Sequence, residues 1–266
     1  MKMTFPNRLR NRAWHLLWFA FIALPLIAEP LDGKQLMEER KASNAGWGSS
    51  EVDIKMTLVS QSGESTERRL VTRALEVVGE GDKSLTIFRE PRDVSGVALL
   101  NHSHISGADD QWLYLPSVRR VKRISSSNKS GAFMGSEFSF EDMASFEVEK
   151  YDYTGAEQRT EAGEDYFVVR SVPAYENSGY QRLETWLDPE HMQPVKVVFY
   201  RHGETPYKTL SISDFRTYDN DIVRGHRYDM ENHQTGKSTN LVFSDFDFDV
   251  NLTDADFRTN VLRRIR

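Results

Sequence analysis

Four basic side chains, Arg119, Arg120, Lys122 and Arg123, fall within five positions of a chain whose formal net charge is -6. Such a cluster can meet an anionic headgroup, a carboxylate or an acidic partner through charge-assisted hydrogen bonds. It can equally be the solvated end of a strand, and the loose alternation of Val118, Val121 and Ile124 favours the first reading. Just downstream, Phe133, Met134, Phe138, Phe140, Met143 and Phe146 crowd a stretch punctuated by Gly and Ser. Met and Phe adapt to irregular ligands, so these side chains can line or cover an apolar pocket. Their other use is to plug the end of a barrel.

Signals for catalysis are weak by comparison. His102 and His104 can face one way on a strand with Asp109 and Asp110 close behind, but turn residues of this kind are common and no metal is assigned. There is no G-x-S-x-G, H-E-x-x-H, phosphate loop or dinucleotide fingerprint. The 40 acidic side chains leave no single pair distinguished as an acid/base couple. Trp112, Tyr114 and Trp186 read as core or cross-strand packing. No catalytic residue and no cofactor is assigned.

The elements that must position these groups are mostly strands. Residues 31–45 suit a helix, with Asp32 as N-cap and Leu36 and Met37 as a narrow apolar stripe. From Glu51 the pattern turns β: Val52, Ile54, Met56 and Leu58 alternate with polar neighbours, and the QSGE turn leads into a second strand over 65–78. Further strands are predicted at 84–89, 97–101, 111–115, 181–187, 195–200, 209–218, 222–224, 227–232 and 238–246. Short strands with regular turn signals describe a meandering antiparallel sheet that curls toward a barrel, with most neighbours sequential. Residues 116–146 lack the pattern and read as a functional loop or lid, with a short helix possible at 140–146 and another after Thr253.

The amino terminus reads as an export signal. Lys2, Arg8, Arg10 and Arg12 precede an uncharged apolar run from Ala13 to Ala28, shorter than the ~20 residues a spanning helix needs. Residues 1–28 are therefore expected to be a cleaved signal peptide, an uncleaved anchor being the alternative, and 29–266 a single β domain. Removing four positive and no negative charges takes the net charge from -6 to -10, which argues against nucleic acid as a partner. With no cysteine there is no disulfide, thiol nucleophile or lipid-bearing Cys.

The segments FREPRDVSGVALL, DDQWLYLPSVRRVKRISSSNKSGAFMGSEFSFEDM and WLDPEHMQPVKVVFY together resemble the outer-membrane lipoprotein-sorting proteins of the LolA-like superfamily. Within that superfamily they resemble most the branch found beside RND-type (MMPL-like) exporters. The resemblance covers nearly the whole mature chain. It implies an unclosed antiparallel β-barrel, a half-pipe covered by helices and a loop. It further implies a monomeric periplasmic carrier of lipid or lipoprotein acyl chains that works with such an exporter. On this reading Phe133, Met134, Phe138, Phe140 and Met143 contact the cargo or its lid, and Arg119, Arg120, Lys122 and Arg123 meet a headgroup or the exporter. A non-lipid-binding accessory module of the exporter and a periplasmic hydrolase are the competing readings.

Overall fold

The computed structural model describes residues 31–265, so the expected signal peptide at 1–28 lies outside them. Asp32 starts helix α1 (Gly33–Ser43) by accepting hydrogen bonds from the backbone N–H of Lys34 (2.9 Å) and Gln35 (3.4 Å). Fourteen strands follow, and they form one antiparallel sheet. The first six are β1 (Ser49–Val59), β2 (Ser65–Leu75), β3 (Lys83–Glu90), β4 (Ala98–His102), β5 (Asp110–Leu115) and β6 (Arg120–Ile124). After a long strap come β7 (Tyr151–Glu161), β8 (Glu164–Pro173), β9 (Arg182–Leu187), β10 (Pro194–Tyr200) and β11 (Lys208–Thr217). The series ends with β12 (Val223–Asn232), β13 (Lys237–Phe243) and the two-residue β14 (Asp247–Phe248).

The strand order is 6-5-4-3-2-1-13-12-11-10-9-8-7, with β14 beside β1. The chain therefore starts in the middle of the sheet and steps outward to the rim at β6. It then crosses to the opposite rim at β7 and steps back until β13 pairs with β1, from Ile54↔Phe243 to Val59↔Ser238. β6 and β7 do not pair, so the curled sheet stays an open half-pipe, and residues 125–150 are obliged to bridge its two rims.

The two sheet faces bury different things. On the inner face Ile54, Leu70, Phe88, Leu99, Leu113, Phe199, Met230 and Leu241 form the main core with Phe133 and Phe138 from the strap. On the outer face of β2–β5, Val71, Leu85, Ile87, Ala98 and Leu100 pack under Phe257 and Leu262 of the carboxy-terminal turns. This is why β3 reads as the continuous run Leu85, Thr86, Ile87, Phe88: both faces are covered. Thr253 caps the turn Asp254–Phe257 in a reciprocal box with Asp256.

Three expectations are corrected. The stretch 116–146 is not loop throughout: Arg120–Ile124 is strand β6, in register with β5 from Gln111↔Ile124 to Leu115↔Arg120. None of its side chains is buried, so no apolar alternation betrays it. Residues 151–173, to which no strand is assigned above, form the β7–β8 hairpin, and β7 likewise has no fully buried residue. The two short strands expected at 222–224 and 227–232 are one strand, β12 (Val223–Asn232). Gly225 interrupts its pattern because a Cβ there would lie 2.4 Å from Ile212 Cγ2.

Candidate functional site

The strap does not hang free over the half-pipe. Phe133 N–H donates to the Phe138 carbonyl (2.7 Å), closing a small loop that drives both rings down. Phe133 is fully buried against Phe88 and Phe140, with centroids 5.6 and 5.7 Å apart. Polar bonds fasten it at several strands: Arg68 Nη1 donates to the Met134 carbonyl (2.6 Å), Gln111 Nε2 to the Phe140 carbonyl (2.7 Å), and Asn232 Nδ2 to Glu137 Oε2 (2.7 Å).

Two adjacent carboxylates complete the fastening. Asp142 accepts from Lys208 Nζ (2.6 Å), the Tyr180 hydroxyl (2.7 Å) and Ser139 N–H (2.7 Å). Lys208, 2% exposed, also donates to the Glu137 carbonyl (3.1 Å) and lies 5.0 and 4.9 Å from the Tyr180 and Phe199 ring centroids. Glu141 accepts from the Tyr175 hydroxyl (2.6 Å), Ser178 Oγ and Gly179 N–H (2.8 Å). Burial and the Asp142 charge push the Tyr180 phenol well above its ordinary range, so it stays a donor. Lys208, Asp142 and Glu141 carry no motif; only their places, two acids inside an apolar stretch and a Lys opening a strand, could have flagged them.

Between strap and sheet lies a cavity of about 400 Å³, with walls that include Ile54, Leu183, Val197, Leu210 and Leu241. Of the residues singled out from sequence, Phe138, Met143 and Phe146 of the strap line it, as does Asp109. Phe133, Met134 and Phe140 instead pack into the core above it. A second compartment of about 570 Å³ adjoins the first, sharing with it Arg40, Ser145, Phe146, Pro194, Ile212 and Tyr228. Arg40 is a residue the sequence reading passed over. It continues the inward stripe Gly33, Leu36, Met37 of α1 at helical spacing, which is the signal that could have found it. Gly33 lets the helix sit that close, since a Cβ there would be 3.1 Å from Val169 Cγ1 and 3.3 Å from the Gly155 carbonyl.

Arg119, Arg120, Lys122 and Arg123 lie elsewhere. All four are exposed, on the turn into β6 and on β6 itself, and none lines either compartment. Arg123 pairs with Asp110. His102 donates to the Phe257 carbonyl (2.7 Å), while His104 faces Asp110 (3.3 Å) and Glu80 (3.6 Å). Among the described residues no group of three or more His, Asp or Glu could hold a metal ion, and no helix is long and apolar enough to cross a membrane.

This architecture recurs in solved structures. A domain from Vibrio parahaemolyticus assigned to the outer membrane lipoprotein-sorting proteins is 50% identical, with a TM-score of 0.84. The match covers 87% of this chain and 98% of that one. A DUF1329 family protein from Desulfovibrio piger is 26% identical over 86% and 97% of the two chains, with a TM-score of 0.81. A LolA superfamily protein from Nitrosomonas europaea, 21% identical over 87% and 99%, shares the fold at a TM-score of 0.69. A family model described as an uncharacterized protein matches residues 80–264. No curated protein matches the chain. The chain belongs to the outer membrane lipoprotein-sorting family and has the LolA-like fold.

Proposed function

We propose that this protein is a periplasmic carrier, delivered by the signal peptide at 1–28 as a single domain of residues 29–266. It holds lipid or lipoprotein acyl chains beneath the strap and exchanges them with an RND/MMPL-type membrane exporter or the outer membrane. The observation that carries this reading is the largely apolar space of about 400 Å³ under a strap that bridges both rims of the half-pipe. Each buried CH₂ contributes about 0.8 kcal/mol, so a few carbons give useful retention without covalent chemistry. The acidic mature chain is repelled by anionic bilayer surfaces, which suits a shuttle. Phe138 and Met143 are the strap residues that touch cargo, with Phe133, Met134 and Phe140 seating the strap. The exposed rim of Arg119, Arg120, Lys122 and Arg123 meets the exporter.

Native mass spectrometry of protein purified from its own periplasm tests the reading, with co-purified acyl lipid the expected result. Protein that is recovered lipid-free and fails to bind a fluorescent fatty acid overturns it. The exposed basic rim then favours an accessory module of the exporter that carries no lipid.

A further inference from the structure

Arg40 and Lys129 are the two cations in the cavity wall that have no carboxylate within ion-pair distance among the described residues, whereas Lys150 there is paired with Asp109. They stand at the two ends of a row of rings. The Arg40 guanidinium lies 4.1 Å from the centroid of Phe146. Phe146 stacks on Tyr151 at 5.8 Å, and Tyr151 meets Tyr175 edge-on at 6.0 Å. Lys129 Nζ caps the far end, 3.7 Å from the Tyr175 centroid.

Ring faces attract a cation but do not neutralise it. Burial is the largest influence on both basic groups and lowers both pKa values. The groups acting on Arg40 in the other direction are the phenols of Tyr228, Tyr151 and Tyr153, all uncharged at neutral pH. Near Lys129 the carboxylates are Glu141, already accepting three hydrogen bonds, and Asp109, already paired. Arg40 and Lys129 are half-buried and face the cavity, and a partly desolvated cation with no paired carboxylate is a ready contact for an anion. Tyr228, whose hydroxyl makes no hydrogen bond among the described residues, adds a neutral donor at the same wall.

We propose that the cavity takes an anionic amphiphile, its acidic head held by the cation at one end of the ring row, Arg40 or Lys129, and its chain lying along the apolar part of the wall. The proposal rests on the carrier reading and narrows it: cargo with one acidic head and one long chain is favoured over a neutral acyl chain of equal length. Carboxylate and phosphate heads share this chemistry.

The test is titration calorimetry of the mature chain with palmitate against methyl palmitate, and with palmitoyl lysophosphatidate against monopalmitoylglycerol. The expected result is binding of the acids about ten-fold tighter than of their neutral partners. That preference falls below about two-fold in Arg40→Gln with Lys129→Gln and is largely restored in Arg40→Lys with Lys129→Arg. A preference in one pair alone identifies the head as carboxylate or phosphate. Equal affinity of wild-type protein for acid and neutral partner overturns the anion site and leaves the carrier reading standing. Absence of binding to all four overturns both. The wild-type comparison decides even where a variant fails to fold.

Discussion

Lys208 Nζ, on β11, lies 2.6 Å from Oδ2 of Asp142 in the strap, and both side chains are almost wholly removed from solvent. The pair joins two parts of the chain 66 residues apart, so its energy is spent on holding strap to sheet. Asp142→Ala leaves a buried ammonium facing only a carbonyl and aromatic rings. Destabilisation by about 3–5 kcal/mol is expected, read as the urea midpoint multiplied by the slope. In a double-mutant cycle Lys208→Met with Asp142→Asn is less damaging than the sum of the singles, by about 0.5–3 kcal/mol. Additive singles would mean that the two groups do not act on one another.

Asp82 supplies a pH dependence. Burial raises its pKa to about 6, helped by Glu147 and Glu76 and opposed by a bond from Val77 N–H and by Lys41. A carboxyl that binds its proton more tightly folded than unfolded makes the protein lose stability as pH rises from about 4 to about 6, after which the penalty is constant. Asp82→Asn keeps an acceptor for Val77 and removes the penalty. The variant is expected to be roughly 1–3 kcal/mol more stable than wild type at pH 7 and equal to it below pH 4. A constant difference across that range would assign the effect to packing.

Two strap residues separate seating from binding. Phe133→Ala removes a ring that is 0% exposed and is expected to cost about 3–5 kcal/mol in thermal or urea unfolding. Met143→Asp places a carboxylate in the cavity wall at a half-buried position. It is expected to weaken a fluorescent fatty-acid probe about ten-fold with little change in Tm. Phe138→Asp combines both effects. Probe affinity unchanged in Met143→Asp would remove the strap from the proposed cargo site.

The basic rim behaves as a surface. Arg120→Glu with Arg123→Glu breaks only the exposed pair to Asp110, and unfolding free energy is expected to stay within about 0.5 kcal/mol. On the proposed exporter contact, co-sedimentation with inner-membrane vesicles that carry an RND/MMPL-type exporter is expected to fall. A large loss of stability would show the cluster to be structural.

Strands with one buried face were legible from the chain alone, because Val52, Ile54 and Met56 alternate with exposed Asp53 and Lys55. The rims were not. β6 and β7 lack neighbours on one side and bury nothing fully, so the signal that marks the other strands is missing from them. The apolar strap was legible as a cover for the interior, since Phe133 and Phe138 have no other place to go. Its fastening was not, because the partners of Asp142 and Glu141 outside the strap lie 34 to 66 residues away. Arg40 was hidden by its type: an arginine in the last turn of a helix normally answers the helix dipole and points to water.

The strap has a further consequence for how far the vessel can gape. Sheet and strap together make a closed hoop of polypeptide, whose girth is written into the number of residues between Ile124 and Tyr151. Undoing every latch would still leave the rims tethered, at no more than about 3.3–3.6 Å per residue of released chain. Amplitude of opening and frequency of opening are thus separately heritable: chain length governs the one, and Lys208, Asp142 and Glu141 govern the other. Inserting residues into the strap lengthens that tether without touching a single contact that keeps the rims latched.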